Sequence, residues 1–140
     1  MVDSESVHRR LREIDKRLVL LRELREAGRD AFKQDVHRQA EAERHLQLAI
    51  QAALDICGHI VAESSAEVPE DYRTCFGALA KLQVLDDDLA QRLGLAAGLR
   101  NILVHAYLEI DPAQIWSHID DLDDLEAFSR AVLAHLGGPG

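Results

Sequence analysis

Apolar residues that return at alternating steps of four and three constrain this chain more than any other feature. Val7, Leu11, Ile14, Leu18 and Leu21 follow that spacing, and so do Leu46, Ile50, Ala53, Cys57 and Ile60. An α-helix repeats every 3.6 residues, so each set lines one face and obliges that face to be covered. A half-buried strand would need alternation at every second position. No segment of useful length has it. Two long amphipathic helices, each with a stripe to bury, point to an all-α, up-and-down bundle.

Caps and breakers divide the chain into about five helices, over 4–27, 30–64, 71–83, 87–108 and 112–136. Ser4 suits the start of the first helix and Gly28 its end. Asp30 opens the second, whose first half, around Phe32 and Val36, is more polar than the rest. That half is expected to project beyond the core or to meet a partner. Residues 63–69 read as a loop, and Pro69, Glu70 and Asp71 suit the start of a third helix that carries Tyr72, Phe76, Leu79 and Ala80. Asp86, Asp87 and Asp88 read as a cap for the fourth helix, because three adjacent side chains diverge too far to share a cation. Gly94 and Gly98 are expected to bend that helix or admit a neighbouring backbone. Asp111 and Pro112 then form a stop and restart, with Gln114 placed for a capping box. The last stripe is Ile115, Ile119, Leu122, Leu125, Ser129 and Val132. All of this fits one domain, 1–140, with one core.

A formal charge of −9 argues against a protein that coats nucleic acid through a broad basic face. DNA is therefore not an expected partner, while a local basic site stays open. Cys57 and Cys75 stand in no metal-ligand or redox spacing, and read as buried thiols in a reducing compartment rather than a disulfide. The first fifteen residues are too charged for a secretory signal, and no apolar run approaches a membrane span. A cytoplasmic protein is expected. The acidic set Asp120, Asp121, Asp123, Asp124 and Glu126 reads as a solvated helix face rather than a metal site. No glycine-rich phosphate loop, nucleophile elbow or HExxH pair is present.

One stretch breaks the pattern. GLRNILVHAYLEID, residues 98–111, sets Arg100, Asn101, His105 and Tyr107 into an apolar helical segment. On a regular helix Arg100 and Tyr107 differ in direction by about 20°, whereas Arg100 and His105 lie about 140° apart. Asn101 and His105, four apart, share a neighbouring stripe. Arg100 and His105 would meet only through a distorted first turn, the long arginine reach, or a second copy of the chain. Two readings follow. The four groups could tie helices or subunits together, or they could do chemistry. Arginine neutralises phosphate oxygens and histidine moves protons near neutrality, which suits RNA cleavage without a metal. Asn101 could orient the imidazole or bind phosphate, and Tyr107 could stack on a base.

Arg100-Asn101-Ile102-Leu103-Val104-His105-Ala106-Tyr107 resembles the RNxLVHxY form of the RX4HXY motif of HepT-like ribonuclease toxins, in the HEPN superfamily. The stretches 43–63, 68–101 and 107–128 are also similar to helices of that family. Leu99, where an aromatic is frequent, departs from it mildly. The resemblance implies a HEPN-like homodimer acting as a metal-independent endoribonuclease, the toxin of a HepT/MntA type VII toxin–antitoxin system, with no cofactor. Arg100 and His105 would be catalytic, Asn101 matches the polar residue that commonly follows the arginine and keeps its RNA-binding or orienting role, and no residue would hold a metal. The implied partners are an RNA substrate and an MntA-like nucleotidyltransferase antitoxin that silences the toxin by AMPylation of Tyr107. The alternative is a non-catalytic HEPN subunit that partners a nucleotidyltransferase.

Overall fold

The computed structural model describes residues 4–64, 72–106, 108 and 110–137; Tyr107, the segment 65–71 and the side chains of Tyr72 and Arg73 lie outside the described residues. The described residues form seven helices and no strand: α1 (Ser4–Glu26), α2 (Arg29–Gln34), α3 (Val36–Glu63), α4 (Tyr72–Lys81), α5 (Asp87–His105), α6 (Pro112–Ile119) and α7 (Asp123–Gly137). The fold is the expected all-α bundle. No helix among the described residues is long and apolar enough to cross a membrane.

The two stripes that opened the sequence reading meet each other. Val7, Leu11, Ile14, Leu18 and Leu21 of α1 are all buried, as are Leu46, Ile50, Ala53, Cys57 and Ile60 of α3. α3 is the central element and packs against each of the other six helices. Ser4, expected to cap α1, instead brings its hydroxyl to the His8 ring at 3.2 Å. Gly28 does close the helix, with a φ of 101° that favours glycine.

The helix expected over 30–64 is two helices. Asp35 leaves the helical region, with φ −125° and ψ 104°, and its carboxylate accepts the His37 N–H at 2.9 Å to cap α3. Gln39 donates to the carbonyls of Phe32 and Lys33, satisfying the end of α2. The break turns Phe32 inward against Trp116, with ring centroids 5.4 Å apart. Phe32 is fully buried, so the expected projection of this half fails for Phe32, while Val36 stays 73% exposed.

The helix expected over 112–136 also divides, at 120–122. Asp121 accepts the Asp123 N–H, and Leu122 is buried between α6 and α7. Every residue of the predicted stripe is nevertheless buried. The acidic set is partly engaged: Asp124 binds Arg92 at 2.9 Å, and Glu126 pairs with Arg22 and Arg130. Phe128 packs edge-on to Phe76, centroids 5.7 Å apart, which joins α7 to α4.

α4 stops two residues before the expected end. Gln83 takes the left-handed conformation, with φ 64°. The N–H groups of Val84 and Gln83 then return to the carbonyls of Leu79 and Ala80, a Schellman closure. The reading of the cysteines is overturned. α3 and α4 pack together and bring Cys57 and Cys75, both buried, to a Cα separation of 6.2 Å, where they form a disulfide. Their 18-residue separation concealed this, because a helical hairpin returns the chain onto itself.

Candidate active site

α5 begins as expected: Asp86 caps it by accepting the Leu89 N–H at 2.7 Å. The helix then runs unbroken through Gly94 and Gly98 to His105, so neither glycine terminates it. It ends three residues short of the expected 108. Ala106 leaves the helix at φ −129° and ψ 38°, and the chain turns toward α6. There Pro112 holds Asp111 extended, and the Asp111 carboxylate caps α6 through the Ala113 N–H at 2.9 Å.

The polar motif therefore occupies the last two turns of α5. Arg100 is half-buried, and Asn101 and His105 are exposed. Tyr107 lies outside the described residues. Because α5 is regular over this span, Arg100 and His105 keep the angular separation of about 140° that helical geometry gives them. One chain sets the two groups on different sides of one helix end.

Arg100 is held from two directions. Its Nε–H donates to Gln51 Oε1 on α3 at 2.9 Å, and Nη1 donates to Asn101 Oδ1 at 3.2 Å. Asn101 thus orients the guanidinium, a role not among the two expected for it. Gln51 was not singled out in the sequence. The available signal was a polar stripe at steps of four, Gln47, Gln51, Asp55 and His59, through the otherwise apolar run 46–61.

A groove of about 700 Å³ opens beside the motif, between α5 and α6. Asn101 and Ile102 line one wall, and Gln114, Ser117 and His118 the other. Burial lowers the His118 pKa from its ordinary 6.5, against an opposing pull from Asp121, which favours the neutral imidazole. Along the α5 wall Leu95 and Ile102 are 69% and 40% exposed, and they stand seven residues apart on one face. No group of three or more potential ligands among the described residues is arranged to hold a metal ion.

Comparison with known proteins assigns the scaffold. Residues 14–132 match the family model described as Ribonuclease HepT-like. The tRNA nuclease HepT of Aphanizomenon flos-aquae is 34% identical over 131 residues, which are 93% of this chain and 89% of that protein. The mRNA nuclease HepT of Shewanella oneidensis is 33% identical over 105 residues, 74% of this chain and 78% of the relative. The fold superimposes on the solved structure of the tri-AMPylated Shewanella oneidensis HEPN toxin in complex with MNT antitoxin. That likeness has a TM-score of 0.85 at 27% identity, covering 96% of this chain and 99% of the other. The matched span contains Arg100, Asn101, His105 and the helices that carry them, and the chain belongs to the HepT-like ribonuclease family.

Proposed function

We propose that this chain is the endoribonuclease toxin of a toxin–antitoxin pair, with Arg100 and His105 as its catalytic residues. The observation that carries the reading is the ordered guanidinium of Arg100 and the exposed His105 at the same helix end, within a family-length match to HepT nucleases. His105 takes the proton of an RNA 2′-hydroxyl. The 2′ oxygen attacks the adjacent phosphorus, the bond to the 5′ oxygen breaks, and that oxygen takes up a proton as it leaves. Arg100 stabilises the charge that develops on the phosphoryl oxygens, so the step needs no metal. Asn101 holds Arg100 in place.

A homodimer follows from the same helix. Leu95 and Ile102 offer an apolar strip beside the motif, and a second copy seated there brings a second Arg100 and His105 to a common cleft. Two copies resolve the separation of Arg100 from His105 on one chain, and concentrate positive charge within an acidic protein. The complexes formed by relatives support a small nucleotidyltransferase antitoxin of the MntA type as partner. It would transfer AMP to Tyr107, two residues after His105 in sequence. The anionic nucleotide would compete with RNA phosphate for Arg100. The pair would act in the cytoplasm, where RNA is available.

The test is expression of the chain alone and as Arg100→Ala or His105→Ala. Each substitution is expected to lower RNA cleavage about 10²- to 10⁴-fold and to relieve growth arrest, with cleavage by the parent chain unaffected by EDTA. Undiminished cleavage by either variant would remove that residue from the mechanism. A purified chain that binds the nucleotidyltransferase but never cuts RNA would favour the non-catalytic subunit. Intact mass after co-expression with the partner would locate AMP, expected on the parent and absent from Tyr107→Phe.

A further inference from the structure

We propose that Gln51 is a positioning residue for Arg100, set in orientation by a relay that starts on α1; the proposal rests on the catalytic reading of Arg100. Gln51 projects from the middle of α3, beside the buried Ile50 and Leu54, and is itself half-buried. Its amide is used at both ends. Oε1 accepts from Arg100 Nε at 2.9 Å, and Nε2 donates to Asp55 Oδ1 at 2.9 Å. The other Asp55 oxygen lies 3.6 Å from Arg10 Nε, and Arg10 Nη1 donates to the Ser6 carbonyl at 3.3 Å and to the Ser6 hydroxyl. The chain of contacts runs from α1 through α3 to the motif helix.

Its direction is chemically fixed. An ionised carboxylate only accepts, so Asp55 draws the amide nitrogen of Gln51 toward itself. That turns the amide oxygen to Arg100, a group that only donates. The reverse orientation would set oxygen against carboxylate and N–H against N–H, losing both bonds. Arg10 in turn stands against the other oxygen of Asp55, with Nε 3.6 Å away. The half-burial of Gln51 makes each of these bonds harder for water to replace.

The choice of a neutral acceptor matters for chemistry. Glutamate at 51 would also reach Arg100, but it would neutralise the charge that a phosphoryl oxygen needs. Glutamine fixes the guanidinium through Nε without setting a further negative charge against it. Aspartate and arginine, the charged members of the relay, stand further along the relay from the motif. Catalysis by a positioned charge is sensitive to displacements on the order of 1 Å, so loss of this hold is expected to register in the chemical step.

The experiment measures cleavage of a labelled single-stranded RNA by the full chain, with Gln51→Met and Gln51→Glu in the parent and Arg100→Ala backgrounds. Thermal midpoints establish that each variant is folded. Gln51→Met is expected to lower kcat about 10- to 100-fold with little change in KM. In the Arg100→Ala background the same substitution is expected to change nothing further. Gln51→Glu is expected to raise KM, because the paired guanidinium attracts phosphate less. Equal losses in both backgrounds would overturn positioning and leave the nuclease reading intact, since Gln51 would then act without Arg100. Full cleavage by Arg100→Ala would overturn both together. As a readout apart from activity, the Arg100 Nε–H resonance, assigned by its absence in Arg100→Lys, is expected to exchange faster with water in Gln51→Met. Unchanged exchange would overturn the contact itself.

Discussion

The seam between α1 and α3 and the last two turns of α5 treat polar groups in opposite ways. Along the seam, polar side chains close on one another: Arg17 binds Glu13 at 2.7 Å and meets His45 at 3.1 Å, and Arg10 meets Asp55. Beneath them the two apolar stripes are buried throughout. At the end of α5, Asn101 and His105 face outward, and Leu95 and Ile102 are exposed beside them. Stability is invested in the seam, and the groups proposed for catalysis are displayed at the helix end. The Arg100–Gln51 bond links the two, letting a rigid helix aim a side chain on a more exposed one.

The difference predicts that stability and activity can be changed separately. Leu21 is fully buried on α1, and Leu21→Ala is expected to cost about 2–5 kcal/mol in denaturant unfolding. Cleavage per folded molecule should hold. A per-molecule loss comparable to that of His105→Ala would break the comparison, because the seam would then reach into the chemistry.

Asp86→Ala tests the other end of the motif helix, where the capping bond to Leu89 N–H is lost. A cost of about 1 kcal/mol is expected, the usual loss for an N-cap. The site lies more than three turns away, so cleavage should change less than stability does. By contrast His105→Ala, at an exposed position, should move stability by no more than about 0.5 kcal/mol while it lowers cleavage by about 10²-fold or more. A larger stability change would place His105 among the ties that hold the fold.

The same contrast explains what could be read from sequence. The seam was legible because each stripe buries a face, and burial imposes the helical period on the sequence. α5 carries apolar residues on several faces: Leu93, Ala97 and Leu103 inward, Leu95 and Ile102 outward. Its stripe is blurred, and its flanking caps and its polar motif marked it instead. The break at Asp35 was hidden because the capping bond wins only when Phe32 gains Trp116, a tertiary contact 84 positions on. The Cys57–Cys75 pairing likewise depends on how α4 returns along α3. Arg100 and His105 were singled out from local pattern and family resemblance. Gln51 was not, since its partner lies 49 residues away and a polar stripe on a long helix reads equally well as a solvated face.

Each region also holds one histidine whose pKa is lowered from 6.5, which gives the smallest test of the comparison. His45 on the seam is shifted by burial first and then by Arg17 and Lys16, against Glu41 and Glu13. His118, in the groove beside the motif, is shifted by burial against Asp121. In both cases the folded chain prefers the neutral ring. Above 6.5 neither the folded nor the unfolded ring carries a proton, and this contribution to stability is complete. As pH falls through 6.5 the unfolded chain protonates first, so stability declines until the folded rings titrate as well. Glu43, raised above 4.5 by burial, works in the other direction and acts at lower pH. Urea midpoints are therefore expected to fall between pH 7.5 and pH 5.5, and to fall less in His45→Gln and in His118→Gln. If the seam and the groove are independent, the two savings should add in the double variant. An unchanged fall in both single variants would assign the acid sensitivity to the carboxylates instead. A saving in the double variant well short of the sum would show that the two histidines are energetically coupled, and that the separation between core and site is narrower than their polar groups suggest.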